Sequence, residues 1–218
     1  CWKDILYVGL PAAGSSMINP ISIGIITSLL ARFGAEAVAA FGVASRLESF
    51  ALIALTALSA SIAPFIGQNW GAKKYARVGK ALQLSFLFCL FWGLMVAAIL
   101  AVNAPSLVAF FNQNPDIVQI ASEYLWIVPI SYAGAGIILV ASSAFNALGK
   151  PIPSMVMTVA RMFVLYIPLA YIGGRIYGVN GVFGAACISN LTVGVGAYIW
   201  NQNTCSVKAA KKAEVARS

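Results

Sequence analysis

The sequence predicts an all-α integral membrane protein built as a bundle of six transmembrane helices. Three observations carry that prediction. Of the 218 residues, 61% are apolar or aromatic and only 9% are Asp, Glu, Lys or Arg, against roughly a quarter charged in a soluble domain. Mean hydropathy is +0.87, and apolar runs longer than the ~18 residues that cross a bilayer recur along the whole chain. No stretch shows the roughly ten-residue alternating pattern of a membrane barrel, so each span satisfies its backbone internally as a helix.

Breaks in the apolar pattern place the spans at about 5–30, 36–66, 81–103, 119–147, 152–173 and 179–201. Residues 1–202 thus form the membrane unit and 203–218 a basic tail. In the first span Asn19 directly precedes Pro20, deep in an apolar run. A proline there removes a backbone hydrogen bond and kinks the helix unless neighbours or water compensate, and Pro168 in the fifth span is expected to kink it likewise. This span is too long for the h-region of a signal peptide, and a start at Cys1 reads as a cut chain. The second and fourth spans exceed ~20 residues and must tilt or protrude. Cys89 and Cys187 fall inside spans and read as small packed hydrophobes. The four cysteines have no metal-ligand spacing and the chain has no His, which argues against a zinc or haem site.

Polar residues within the spans fall on stripes. At 100° per residue, Ser45, Glu48, Ser49, Thr56 and Ser59 share one side of the second span, within about 100° of one another. Arg46 stands about 160° from Glu48 and cannot meet it in the same helix. The fourth span places Ser131, Gly134, Ala135, Ser142 and Asn146 on one face, and the fifth places Ser154, Thr158, Arg161 and Pro168 on another. Small and hydroxyl residues also line tight helix–helix contacts, so packing is the leading reading for the serines and glycines. Packing alone requires no charge. An ion near the bilayer centre costs at least about 2.5–3.5 kcal/mol and belongs in a bundle interior or wet cavity. Glu48 and Arg161 are therefore pathway candidates, with Asn19, Ser45, Thr56 and Asn146 beside them. The two charges lie at similar depth, so Glu48 is expected to meet Arg161, directly or through water. In the alternative, Glu48 works alone and binds protons or cations.

Charge also orients the chain. With a cytoplasmic N-terminus, one side carries Lys3, Lys73, Lys74, Arg77, Lys80, Lys150, Lys208, Lys211, Lys212 and Arg217, and the other only Arg32 and Arg175. This is the positive-inside pattern, with both termini cytoplasmic. The net charge of +8 therefore points to lipid rather than nucleic acid, since no aromatic residue interleaves the tail's charges. The loop "GQNWGAKKYARVGK" reads as an interfacial segment, with Trp70 and Tyr75 at headgroup level; it holds no phosphate-binding glycine motif. An intramembrane enzyme is disfavoured: there is no GxSxG, no His and no pair of membrane aspartates.

Several stretches together resemble one family: "VGLPAAGSSMINP", "ASRLES", "IAPFIGQNWGAKKYARV", "SSAFNALGKPIPSMVMTVARMFVLYIPLAYIGG" and "YGVNGVFGAACISN". Over essentially its entire length the chain is similar to the C-terminal half of a multidrug and toxic compound extrusion (MATE) transporter. The resemblance implies one six-helix lobe of a twelve-helix, two-lobe protein of the inner membrane, its partner being the N-terminal lobe. It further implies antiport of organic, often cationic, compounds against H⁺ or Na⁺, with no resident cofactor. A flippase for lipids or lipid-linked precursors of the same superfamily, or a non-transporting membrane subunit, are the competing expectations. In NorM-type members the first helix of this lobe carries a cation-binding Glu. Asn19 is the nearest position here, and it cannot titrate. No Asp stands in the fourth span, where such members carry another acid, so the resemblance leans to a non-NorM branch.

Overall fold

The computed structural model of the chain describes Met17, Ile18 and residues 20–205. Asn19, Cys1, Lys3 and the basic tail lie outside the described residues. Among the described residues every regular element is helical. Helix α1 (Pro20–Phe33) tightens to a 3₁₀ turn over Ala31–Phe33 and passes through Gly34, at φ +112°, into α2 (Ala35–Gly71). A short loop leads to α3 (Tyr75–Phe111). Asn114 then caps α4 (Pro115–Ala147), its side chain accepting from the Asp116 N–H with Pro115 in the first turn, a strong start signal. Helix α5 (Pro151–Tyr177) turns at Gly178, φ +61°, into α6 (Val179–Thr204).

Helices α2 to α6 are long and apolar enough to cross a membrane, while α1 is shorter as described. With 37 residues each, α2 and α3 are roughly 55 Å long, well beyond the ~30 Å hydrocarbon core. Helix α3 begins at Tyr75 and runs to Phe111, further at both ends than its apolar run. Helical hydrogen bonds do not stop where hydropathy falls, so Arg77 and Lys80 continue it into the headgroup layer. Outward-facing positions remain apolar, as at Leu87, Phe91 and Leu94 of α3.

The centre of the bundle is α4, and its small residues put it there. A Cβ on Gly93 of α3 would stand 2.5 Å from the Ala133 nitrogen, and one on Gly134 2.6 Å from the Asn190 carbonyl of α6. Such seams allow backbone-to-backbone approach, which in lipid replaces the missing hydrophobic drive. Cys89 packs with its Sγ 3.0 Å from where a Gly136 Cβ would stand. Ser59 of α2 donates to the Leu139 carbonyl (3.1 Å) and shares a 2.7 Å hydrogen bond with Ser143, joining α2 to α4.

Two prolines shape the path of the chain. Pro129 lies in a 3₁₀ segment, Val128–Ser131, that interrupts α4. In α5 the seven residues Ala160–Tyr166 wind as a π-helix just before Pro168. The sequence led us to expect a kink at Pro168. The structure shows widened winding upstream, which eases the clash of the ring with the preceding turn. Pro20 opens the described part of α1, and the kink argument there concerns Asn19, outside it.

Candidate functional site

Two adjoining cavities of about 260 and 510 Å³ open between α1, α2, α4, α5 and α6, and share Ile23, Leu52, Arg161 and Met162 in their walls. The smaller is walled by Ser45, Glu48 and Ser49 of α2, Tyr124 of α4, Arg161 and Tyr166 of α5 and Asn190 of α6. The larger takes Thr56 from α2, Ser142 and Asn146 from α4, and Ser154 and Thr158 from α5. Three polar stripes read from the sequence thus face one cleft. Its wall is mixed: aliphatic surface from Ile23, Leu52, Leu139 and Met162 interrupted by hydroxyls, an amide, a carboxylate and a guanidinium.

Not every stripe residue belongs to it. Ser59 is buried and bonded to α4, and Gly134 is spent on the α4–α6 seam. Thr56 and Ser49 do line it, but their hydroxyls donate to their own helix, to the carbonyls of Ile53 and Ser45 at 2.8 Å. Arg46 is exposed and lines neither cavity. Its angle of about 160° from Glu48 places it on the other side of α2.

Glu48 and Arg161 line the same cavity and act on each other electrostatically across it. Hydrogen bonds also tie each of them to the surrounding helices. The Tyr124 hydroxyl donates to a Glu48 carboxylate oxygen. Tyr124 is held edge-on between Phe41 (6.0 Å) and Phe183 (5.0 Å), so its oxygen is aimed by packing. Arg161 Nη1 donates to Asn190 Oδ1 at 3.3 Å. Asn190 Nδ2 donates to Ser131 Oγ at 3.0 Å, and Ser131 donates to the Val128 carbonyl at 2.8 Å. The chain therefore links the π segment of α5 through α6 to the 3₁₀ break of α4. Both irregular segments are where the backbone frees groups for such bonds.

Tyr124 and Asn190 had no place among the sequence candidates. A tyrosine in a membrane helix reads equally as an interface anchor. The lone amide of Asn190, inside the apolar run of α6, was the one available signal. Chemically, the cleft can seat an amphipathic molecule against aliphatic and aromatic walls and meet either sign of charge, and its carboxylate can exchange a proton or hold a cation.

A membrane-crossing helical bundle with charged residues on an internal cleft has the architecture of a solute transporter. A profile of the MatE family matches residues 11–172, and the chain belongs to that family. It is 37% identical over 213 residues to a Shewanella oneidensis protein named FAD transporter, covering 98% of this chain and 47% of that one. The multidrug export protein MepA of Staphylococcus haemolyticus is 23% identical, over 86% of this chain and 41% of its own. Among solved structures, the Vibrio cholerae MATE transporter VcmN in its bent form superposes with a TM-score of 0.89 at 33% identity, over 95% of this chain and 46% of that one. The chain spans about half the length of these relatives.

Proposed function

We propose that this chain is the C-terminal six-helix lobe of a secondary active exporter that antiports amphipathic organic compounds against H⁺ or Na⁺. The observation that carries the reading is the cleft: Arg46 and Glu123, also within the spans, line neither cavity, whereas Glu48 and Arg161, of opposite sign, line one together. A packed membrane bundle needs neither, whereas a path for a charged solute and a coupling ion uses both. In a two-lobe protein the open side of the cleft would face the other lobe. The lobe sits in the inner membrane with the Lys73, Lys74 and Lys150 end cytoplasmic, as the positive-inside rule favours.

The likeness to a protein named FAD transporter favours aromatic anions alongside cationic drugs as first substrates to test. Tyr124, Tyr166 and Phe41 offer rings around the cleft and Arg161 a cation. In proteoliposomes of the full-length protein, we expect FAD or a cationic dye to move against an imposed proton or sodium gradient. Transport that ignores both gradients overturns the antiport reading. Drug export by residues 1–218 alone, as a demonstrated monomer, overturns the lobe assignment.

A further inference from the structure

The two basic residues at the Gly34 and Gly178 end of the bundle meet on one ring. Arg175, in the last turn of α5, places its Cζ 4.5 Å from the Tyr171 centroid and donates to the Tyr171 hydroxyl. Arg32, in the last turn of α1, stands 5.9 Å from the same centroid. Glu36, the nearest carboxylate to Arg32 in sequence, folds back on Gly34, with Oε2 2.9 Å from where a Cβ there would stand. Two guanidiniums thus converge on this ring while that carboxylate is turned to the Gly34 backbone. From this corner a groove of about 400 Å³ runs between α1 and α5, walled by Ile21, Ile25, Leu29 and Ile167, with Arg32 and Tyr171 at its rim. The three turns from Arg32 back to Ile21 span roughly 16 Å of membrane depth. Ile21 and Ile25 point about 160–200° from Ile23, which lines the transport cleft, so the groove is on the other side of α1.

We propose that this corner binds an anionic phospholipid, its phosphate between Arg32 and Arg175 and an acyl chain along the isoleucine groove. Guanidiniums pair with phosphate through paired N–H donors. The phosphate relieves the repulsion between two like charges held on one ring, and the aliphatic wall suits a tail already in the bilayer. A free phosphate would gain nothing from that wall.

Native mass spectrometry of the full-length protein tests the site, with Lys74→Gln, Arg77→Gln and Lys80→Gln introduced in every variant to weaken competing binding at the opposite basic end. We expect phosphatidylglycerol to bind in preference to phosphatidylcholine. The Arg32→Gln/Arg175→Gln variant should lose about fivefold in affinity per arginine. Ile25→Trp, which fills the groove and keeps both arginines, should lose binding as well, and millimolar inorganic phosphate should displace nothing. Equal phosphatidylglycerol binding by the double-Gln variant and its parent overturns the proposal, as does unchanged binding in Ile25→Trp. Displacement by inorganic phosphate makes it a free-anion site and overturns the lipid.

Discussion

Helices α4 and α5 are equal in mean hydropathy over their most apolar stretch, yet 67% of that stretch is buried in α4 and 11% in α5. Hydropathy reports residence in the membrane; it does not report which helix is the axle and which the rim. What separates the two is side-chain size. Helix α4 runs Ala133, Gly134, Ala135, Gly136 and later Ala141 and Ala144, all buried, so α2, α3 and α6 can close on its backbone. Helix α5 presents Val156, Phe163 and Val164 outward and holds its place through α6, through its first turns packed on α4, and through a few polar bonds. The same solvent, lipid, selects a rigid scaffold in one case and a lightly held wall of the cleft in the other.

The largest expected effect tests the scaffold. Gly134→Leu must push Asn190's backbone away from α4, and we expect little or no folded protein on size-exclusion chromatography. A comparable increase in bulk at the exposed face of α5, Val164→Trp, should change stability little, within about 0.5 kcal/mol. If both variants behave alike, the division between axle and rim is wrong.

Next come the charges that α5 shares with α2. Glu48→Gln and Arg161→Met should each destabilise by about 3 kcal/mol in detergent melts, with partial recovery in the double variant. Additive losses would separate Glu48 from Arg161 and leave Tyr124 as the carboxylate's working partner. A smaller effect is expected from Asn190→Ala, which strips one hydrogen bond from Arg161 and one from Ser131, at about 1–2 kcal/mol. It should also slow transport more than it lowers stability, because it frees α5. Smallest is Ser59→Ala, within the α2–α4 contact, at about 0.6 kcal/mol by analogy with other interhelical hydrogen bonds in membranes. A loss of several kcal/mol there would mean that polar bonds, not small residues, hold α4 central.

Helix number and class were legible because hydropathy is local and additive, and each span carries its own signal. The cleft was legible in part for a related reason: Ser45, Glu48, Thr56, Ser142, Asn146, Ser154, Thr158 and Arg161 recur at helical spacing, and a periodic polar face needs somewhere to go. Which stripe residues pack and which line the cavity was not legible. Ser59 and Ser45 look alike on the wheel, and only the neighbouring helix decides between them. Tyr124 and Asn190 escaped because each is solitary, and a single residue has no period. The π winding over 160–166 has no marker of its own beyond Pro168 downstream.

The single-residue turn at Gly178 has a mechanical consequence. Just inside it, Gly173 and Gly181 press together, a Cβ on Gly181 falling 2.0 Å from the Gly173 carbonyl, so α5 and α6 are clamped at that end. At the other end of α5, Lys150, just before the helix, donates its N–H to the Phe145 carbonyl of α4, and Pro151 and Ser154 are buried there. A beam held at both ends yields most near its middle, and that is where the π segment Ala160–Tyr166 carries Arg161 into the cleft.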